Sequence, residues 1–348
     1  MKICYFGIYD PNFGRNKVYI SGLKENGHEI IECRDISPGI LKFWRLWRKH
    51  RKMVYDVMIV GYPGHIVVPF AKLISKGPVI FDALATLYEG EVLSRGRYRR
   101  NPLMLLWIHV TDYLAVKSAD LILVETNAQK DFFIKRFSLK QNKIVRVFTG
   151  ADEKVYFRDQ SVLKQPQFTV VFRGKFLPEA GVEYILEAAK ILETQNVKFL
   201  IIGNGFLEKK IKAKIDELKL KNLELISQYL PSNELREKML RCHVSLGQFG
   251  KHERLERTIP HKAFEALSLG LPYITGRAQG ISELLTSGKD CLMVNCADGD
   301  DLADKILILK NNQELLENIS GNGHRLFQEK LTSKKLGKDI IEAVNILQ

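Results

Sequence analysis

Short apolar runs alternate with helical patterns along this chain, and no other feature constrains its fold as strongly. Strands that alternate with helices predict parallel sheets with helices on both faces, in an α/β fold. The alternation stops at a polar stretch, 158–167, and then starts again, which predicts two doubly wound domains that face each other across a cleft. The predicted strands are 2–8, 29–33, 55–60, 78–81, 121–124, 143–148, 169–172, 197–202, 223–226, 244–246, 271–275 and 291–294.

The length agrees with two domains, because 348 residues is near the limit of what one hydrophobic core serves. We place the first domain at 1–157, a linker at 158–167 and the second domain at 168–332. Apolar residues recur at helical spacing in the last segment, which predicts an amphipathic helix over 333–348. They are Leu336, Ile340, Ile341, Val344 and Leu347.

The composition excludes several classes of protein. With 45% hydrophobic and 27% charged residues, the chain has the balance of an ordinary globular protein. Its five cysteines are scattered and include no Cys-x-x-Cys pair, which argues against a zinc site or a disulfide framework and favours the cytoplasm. The best apolar run, 103–110, is far short of the ~18 residues that a membrane span needs, and no export signal is visible at the N-terminus.

The segment 259–285 carries the most functional information. Pro260 suits the first turn of a helix and Gly270 its C-terminal cap. Glu265 lies one turn beyond His261, on a face away from the apolar side chains, so we expect it to point freely into the cleft. A carboxylate there suits the vicinal hydroxyls of a ribose, at the end of the sheet where open parallel sheets bind ligands.

This segment resembles a known family. The pattern Pro-x-Lys-x-Phe-Glu-Ala-x-x-x-Gly-x-Pro of 260–272, followed by Gly-Ile-x-Glu at 280–283, is similar to the donor-binding half of retaining GT-B glycosyltransferases of family 4, the group 1 type. The resemblance spans most of the chain. It implies two Rossmann-like domains, a last helix that crosses back to the first domain, and metal-independent transfer of a hexose-type sugar. The donor would be a nucleotide diphosphate sugar and the acceptor a glycan or a lipid-linked molecule.

Two other functions remain open at this point. One is a sugar-nucleotide epimerase on the same fold, which would need no acceptor. The other is a non-catalytic basic protein that binds membranes or nucleic acid. Two departures from the family pattern support this non-catalytic alternative: Ala180 replaces a lysine, and Arg257 replaces the first of a pair of glutamates.

A glycine turn, 171–181, forms the second motif. Gly174 and Lys175 follow a predicted strand and precede a helix, and such a turn suits a diphosphate because backbone N–H groups and the helix dipole favour anions. Lys175 fits the family's basic position after the glycine. Because Ala180 stands where the family has a second cation, Arg173 or the basic loop 251–254 would have to compensate. A solvated surface lysine is the alternative for Lys175.

The resemblance implies the residues of both halves of the site. The catalytic residues would be Asp82, Lys175 and Glu265, with residues 228–230 near the base. The predicted donor-binding residues are Gly174, Lys175, Gly203, Gln228, Tyr229, Leu230, His261, Lys262, Glu265 and Gly280. The predicted acceptor-side residues are Gly14, Arg15, Asn16, His65 and Asp82.

Several of these residues have a plainer interpretation. Asp82 could cap a helix or a turn, and His65 could be a rim histidine without a substrate contact. The loop around Gly14 lacks Gly-x-Gly-x-x-Gly, which argues against a nicotinamide cofactor. The acidic residues Asp298, Asp300 and Asp301 resemble the Asp-x-Asp motif with which other sugar transferases bind a metal. They precede a helix, so we predict that they cap it. We therefore expect neither a metal nor a cofactor.

Positive charge is concentrated in the first half of the chain. Residues 1–150 hold 24 Lys and Arg against 13 Asp and Glu, or +11, whereas the rest carries +2. Ile40 and three aromatic residues, Phe43, Trp44 and Trp47, share one face of a predicted helix, with basic residues such as Arg48 and Arg51 on the other. Such a helix is typical of peripheral binding to an anionic membrane, here the inner face of the cell membrane. A core-facing helix with a wet basic side and a nucleic-acid groove are the alternatives.

Overall fold

The computed structural model describes residues 1–347. Its internal contacts divide the chain into two compact units, and the first comprises Met1–Asp152 together with the chain from Lys330 onward. The second unit is Glu153–Glu329, so that residues 153–157, which the sequence placed in the first domain, belong to it.

The first unit is a parallel sheet with the strand order β2-β1-β3-β4-β5-β6. Strands β3 and β5 are buried at every residue, which is the pattern of a parallel sheet that is covered on both faces. The elements of this unit are β1 (Lys2–Gly7), α1 (Gly14–Glu25), β2 (Glu29–Arg34), α2 (Leu41–His50), β3 (Val57–Val60), α3 (Val68–Ile74), β4 (Val79–Leu84), α4 (Pro102–Ser118), β5 (Leu121–Val124), α5 (Asn127–Phe137), β6 (Ile144–Arg146) and, at the end of the chain, α13 (Ser333–Asn345).

Two glycines bring α13 against α1. A side chain on Gly22 would overlap the Ser333 carbonyl, and one on Gly337 would overlap the Gly22 backbone, so only glycine permits this approach. Asn26 then donates hydrogen bonds from Nδ2 to the carbonyls of Gly22 and Lys334, at 2.7 and 2.8 Å. The predicted amphipathic helix is confirmed over Ser333–Asn345, with Leu336, Ile340 and Val344 on its buried side.

The second unit is also a parallel sheet, with the strand order β12-β11-β10-β7-β8-β9. All twelve predicted strands are confirmed, and their ends shift by three residues at most; β11, for example, starts only after Pro272, which has no N–H to donate. The elements of this unit are β7 (Phe168–Arg173), α6 (Val182–Ile191), β8 (Val197–Ile202), α7 (Glu208–Leu218), β9 (Leu223–Ile226), α8 (Ser232–Leu240), β10 (Val244–Leu246), α9 (His261–Leu269), β11 (Tyr273–Gly276), α10 (Gln279–Ser282), β12 (Leu292–Val294), α11 (Gly299–Asn311) and α12 (Gln313–Lys330).

Residues 158–167, predicted as a linker, have no regular secondary structure but are fixed to the second unit. The Lys164 ammonium donates to the carbonyls of Leu240 and Cys242, at 2.8 and 2.6 Å, and Gln165 donates its N–H to the Arg241 carbonyl. Burial lowers the pKa of Lys164 to about 8. This segment therefore packs as part of the domain.

Candidate functional site

Two glycine turns meet at the carboxyl edge of the second sheet. Strand β7 lies between β10 and β8, where the order of the strands reverses, and open α/β sheets bind ligands at such a point. Gly174 follows β7 with a φ of +149°, and a side chain on Gly203, which follows β8, would overlap the Gly174 carbonyl. The two turns thus lie backbone against backbone and leave an opening beside them.

That opening is a cavity of about 250 Å³. Six of the predicted donor-binding residues line it, namely Gly174, Lys175, Gly203, Gln228, Tyr229 and Leu230. Arg173, which the sequence offered as a replacement for the missing lysine at 180, lines it too. The cavity is also lined by residues that the sequence had not assigned to the donor, which are Tyr156, Ile202, Asn204, Ser232 and Leu235. Asn204 could have been predicted from the sequence, because it follows Gly203 directly. Tyr156 could not, because it lies outside every motif and only the folded structure brings it to the cavity.

Lys175 lies at the mouth of this cavity. Its ammonium donates a hydrogen bond of 2.7 Å to Oδ1 of Asn204, whose amide donates in turn to the Ser227 carbonyl at 2.8 Å. The Lys175 side chain is otherwise exposed. Its charge is therefore well placed for an anion in the cavity but is largely hydrated in the unliganded protein.

Glu265 is fully buried, and the expectation that it points freely into a cleft is wrong for this structure. Every residue of α9 from Lys262 to Leu269 is buried, so the helix has no open face. Oε1 of Glu265 accepts hydrogen bonds from Arg173 Nη2 and from His261 Nδ1, the latter at 3.1 Å. Burial opposes ionisation of the carboxyl, but the Arg173 charge and the His261 hydrogen bond hold its pKa below the ordinary value.

One oxygen of this carboxylate remains without a partner. Oε2 of Glu265 makes no hydrogen bond within residues 1–347. Arg173, which holds Oε1, also donates to the Tyr156 hydroxyl at 3.2 Å and lines the cavity. Glu265 therefore links α9 to the cavity through Arg173.

Lys262 is a buried cation at the glycine turn. Only 6% of the residue is exposed, and its ammonium lies 4.3 Å from the centre of the Phe172 ring, a cation–π contact. A side chain on Gly174 would lie 3.2 Å from this ammonium, which places Lys262 directly behind the turn. Burial and the nearby Arg173 charge lower the pKa of Lys262 to about 7, against the opposing effect of Glu265 and Glu179. We find no hydrogen-bond acceptor for its ammonium among the described residues.

Position 180, where the family has a lysine, is buried in this structure. Ala180 is fully buried at the end of a short 3₁₀ turn, Pro178–Ala180, that precedes α6. In the basic loop 251–254, which the sequence offered as an alternative to Arg173, Arg254 pairs with buried Glu179 at 3.2 Å, and Lys251 lines a different cavity. Lys262 is thus the nearest buried cation to the glycine turn.

The remaining predicted donor residues lie outside the first cavity. Gly280 packs against the backbone of Thr258, where a side chain would come within 2.7 Å. A second cavity of about 280 Å³ lies at the carboxyl ends of β10, β11 and β12. It is lined by Gly250, Lys251, His252, Leu255, Glu256, Arg277, Asn295 and Cys296.

The predicted acceptor residues of the first unit form a buried polar cluster. Arg15 and Asp82 have no exposed side-chain surface and pair at 2.8 Å, and Arg15 also donates to Thr149 and the Val147 carbonyl. Asn16 is buried as well, and Gly14 begins α1 beside it. These contacts are those of a structural ion pair. They differ from the open substrate contact that the sequence predicted for Asp82.

His65 is also buried, and its Nε2 lies 3.9 Å from the Asp112 carboxylate. Its Nε2 lies 2.8 Å from the Ala85 carbonyl, and burial lowers its pKa to about 4. Such a histidine stays neutral in the folded protein. The structure therefore places it below the surface and not at an exposed rim.

Helix α2 carries the predicted membrane-binding residues, but its faces differ from the prediction. Phe43 packs edge-on against Phe70 of α3, at the border of the core. Trp44 and Trp47 are exposed, and the guanidinium groups of Arg48 and Arg51 lie over their rings at 5.1 and 5.3 Å. Aromatic and basic residues therefore share one exposed surface, because Leu46 and His50 form the buried side.

The aspartate cluster caps a helix, as predicted. Asp298 accepts from the Asp301 N–H at 2.9 Å at the start of α11, and Asp301 accepts from the Asn295 N–H. Within residues 1–347 we find no group of three or more side chains arranged to hold a metal ion. Nor does any helix in this range have the length and apolar character to cross a bilayer.

The second unit matches a known family. Residues 154–326 match the sequence model described as Glycosyl transferases group 1. An uncharacterized glycosyltransferase of Methanocaldococcus jannaschii is 24% identical to the chain, over 96% of it and 95% of that protein. The capsular polysaccharide biosynthesis glycosyltransferase CapM of Staphylococcus aureus is 23% identical, over 92% of the chain and 85% of CapM.

Solved structures agree with these sequence matches. Anabaena HepE in complex with UDP-glucose has a TM-score of 0.75 to this structure at 15% identity, over 99% of both chains. Sucrose-phosphate synthase of Thermosynechococcus elongatus has a TM-score of 0.74 at 13% identity, over 100% of this chain and 99% of the synthase. The likeness confirms the GT-B fold. The chain is a glycosyltransferase, and its residues 154–326 form a domain that matches the group 1 family.

Proposed function

We propose that the chain transfers a hexose-type sugar from a nucleoside diphosphate donor to a glycan or a lipid-linked acceptor, with retention and without a metal. The observation that carries this proposal is the cavity at the glycine turn, which Lys175 lines, together with the buried Lys262 ammonium that lies behind Gly174 of the same turn. Fixed cations beside backbone N–H groups suit a diphosphate. Uridine is the base we favour, because the similar HepE structure holds UDP-glucose.

The diphosphate leaves during transfer, and its developing charge needs stabilisation. Lys262 is buried and already in place, so its charge acts in a medium that screens it less than water does. The Lys175 ammonium would exchange its hydrogen bond to Asn204 for one to the diphosphate, which it approaches from the exposed side. In this proposal the two cations do what a divalent metal does in other sugar transferases.

The nucleoside would extend along the cavity away from Lys262. Tyr229 is 87% exposed at the cavity rim, and its ring offers a stacking surface for the base beside Gln228 and Leu230. For the ribose we propose Glu265, whose Oε2 has no partner among the described residues, is buried outside the cavity lining and would be uncovered by a shift of Arg173, while His261 holds Oε1. Glu265 would then orient both the ribose and the Arg173 guanidinium.

The acceptor is proposed from the relatives. CapM is named for capsular polysaccharide biosynthesis, and a Kluyveromyces lactis relative is a chitobiosyldiphosphodolichol beta-mannosyltransferase, which is 20% identical over 87% of this chain. Both names support a glycan or a lipid-linked acceptor. Retention is supported only by the resemblance of the 260–272 motif to retaining enzymes.

Turnover of nucleotide sugars tests the proposal. UDP-glucose and UDP-N-acetylglucosamine would be incubated with the protein, with and without lipid extract, and both free UDP and the sugar product would be measured. We expect UDP release that depends on an acceptor and survives a chelator. Release of UDP and an altered free sugar without an acceptor would favour the epimerase, and the absence of nucleotide binding would contradict both enzymes.

A further inference from the structure

Helix α4 has an exposed apolar stripe. Six large side chains recur along it at the spacing of one helix face, and each is between 46% and 78% exposed. They are Leu103, Leu106, Trp107, Val110, Tyr113 and Leu114. A helix that covers a sheet ordinarily presents polar residues to water on this side, so the stripe needs an explanation.

The opposite side of α4 already serves the core. Ile108, Ala115 and Val116 are buried, and the last two belong to the core cluster of the first sheet. The one acidic residue of the helix, Asp112, is buried too and accepts the N–H groups of Leu87 and Tyr88, at 2.8 and 3.2 Å. The exposed stripe therefore carries no negative charge.

Basic residues lie at both ends of the stripe. Four arginines precede it at 95, 97, 99 and 100, and Lys117 follows it with its ammonium 5.6 Å from the Tyr113 ring centre. Glu91 pairs with Arg95 and Arg97 at 2.9 and 3.0 Å, so one carboxylate stands against four guanidinium groups. The surroundings of the stripe are thus strongly positive.

We infer that α4 docks on the surface of an anionic bilayer, with the apolar stripe at the level of the upper acyl chains and the 95–100 arginines among the headgroup phosphates. Trp107 and Tyr113 suit this depth because their rings favour the membrane–water interface. The inference is independent of the proposed function, because it rests on the exposed face of α4 and not on the donor cavity.

A second copy of the chain fits the stripe less well. Pairing two α4 helices in parallel would bring the arginine ends together, and antiparallel pairing would bring each arginine end to the Lys117 of the other copy. Basic groups would meet basic groups in both cases, whereas anionic lipids complement every one of them.

The docking surface extends to the neighbouring helices. Helices α2 and α3 cover the same face of the first sheet as α4, since their buried residues share one core cluster. Leu73 of α3 is 83% exposed, and Trp44 and Trp47 of α2 are exposed beside their arginines. We assign α4 the deeper position because its stripe is longer and nearly free of polar groups.

The three tryptophans of the chain allow a direct measurement of depth. The Trp44→Phe/Trp47→Phe protein retains only Trp107, and the Trp107→Phe protein retains only the two tryptophans of α2. Tryptophan fluorescence would be recorded with phosphatidylglycerol vesicles whose acyl chains carry bromine, which quenches nearby tryptophans. We expect a blue shift and strong quenching for Trp107, with weaker quenching for the α2 pair. An unchanged Trp107 emission on these vesicles would overturn the inference.

A flotation assay with matched variants gives the second test. Leu106→Ser/Val110→Ser removes exposed apolar surface from the stripe, and Ile191→Ser/Ile308→Ser removes similar exposed surface from the second unit. We expect the first pair to weaken binding by about tenfold or more and the second to leave it unchanged, with thermal unfolding the same in both. Equal binding of all three proteins would contradict the α4 assignment. So would a concentration-dependent shift of Trp107 without vesicles, which would indicate a second copy.

Discussion

Both units bury charged side chains at the carboxyl ends of their strands, but the balance of charge differs between them. In the first unit the buried Arg15 guanidinium is matched by two buried carboxylates, Asp82 at 2.8 Å and Glu125, to which Thr149 connects it. In the second unit Arg173 and Lys262 share one carboxylate, Glu265, because the other carboxylate near Lys262, Glu179, pairs with Arg254. Arg173 also lines an open cavity. Carboxylates that enclose a buried cation hold a fold together, whereas excess positive charge beside an opening can hold an anionic ligand.

The largest effect, on stability, is expected from breaking the ion pair between Arg15 and Asp82. Asp82→Asn removes the nearest counter-charge of the buried Arg15 guanidinium, which should lower the free energy of unfolding by about 3 to 5 kcal/mol. Urea unfolding measures this loss, and UDP binding by the folded fraction should stay close to that of the parent. A variant that is as stable as the parent but inactive would instead restore Asp82 as a catalytic residue.

The matching change in the second unit should affect chemistry more than folding. Lys262→Met keeps the volume of the side chain but removes the charge behind the glycine turn, so turnover should fall by about 100-fold, or roughly 3 kcal/mol. Its free energy of unfolding should not decrease, because a buried lysine without a hydrogen-bond acceptor contributes little to stability.

Two further lysines serve as controls for this change. Lys175→Met should lower turnover less than Lys262→Met does, because Lys175 is hydrated in the free protein. Lys209→Met, on exposed α7, should have no effect. If the three variants lost the same small fraction of activity, Lys262 would have no special role.

A smaller loss is expected from Glu265→Gln. A charge-assisted hydrogen bond to a ribose hydroxyl contributes about 1.5 to 3 kcal/mol, so affinity for UDP should fall about tenfold or more. Calorimetric titration measures it, and deoxyuridine diphosphate should lose less affinity than UDP does on this substitution. Equal losses for both nucleotides would mean that Glu265 acts only by holding Arg173.

The smallest effect concerns pH and follows from the lowered pKa of Lys262, about 7. A bound diphosphate raises this pKa, so the ammonium contributes fully to affinity below pH 7 and its contribution is lost as the pH rises. The groups that face Lys262 are Arg173 on β7, Glu179 before α6, and Glu265 on its own helix; His261 reaches it only through Glu265. UDP affinity should weaken about fivefold between pH 7 and pH 8.

A substitution separates this titration from others. Lys262→Arg carries a charge at every accessible pH, so its UDP affinity should not change over the same range. An identical pH dependence in parent and variant would assign the effect to another group.

The sequence predicted the fold well because its signals are local. Each strand is a short apolar run between polar turns, and the restart of the alternation after 158–167 is enough to indicate two domains. The same reasoning found the glycine turn at Gly174, whereas Gly203 and the 228–230 segment came from the family resemblance; all of them line one cavity at the carboxyl edge of the sheet.

The site's electrostatics could not be predicted in this way. Helical periodicity placed Glu265 on a face away from the apolar residues, but α9 is surrounded by protein and that face meets Arg173. Lys262 was named only through the family motif, because its position behind Gly174 depends on how α9 packs against β7. The α4 stripe escaped notice because apolar residues at helical spacing predict a buried face as readily as an exposed one.

A crystal structure with UDP bound would test the central claim most directly. The account predicts the diphosphate at the glycine turn, with one of its oxygens about 2.7 to 2.9 Å from the Lys262 ammonium and the uracil beside Tyr229. UDP bound elsewhere on the chain, or a diphosphate that leaves Lys262 against the Phe172 ring without contact, would contradict it.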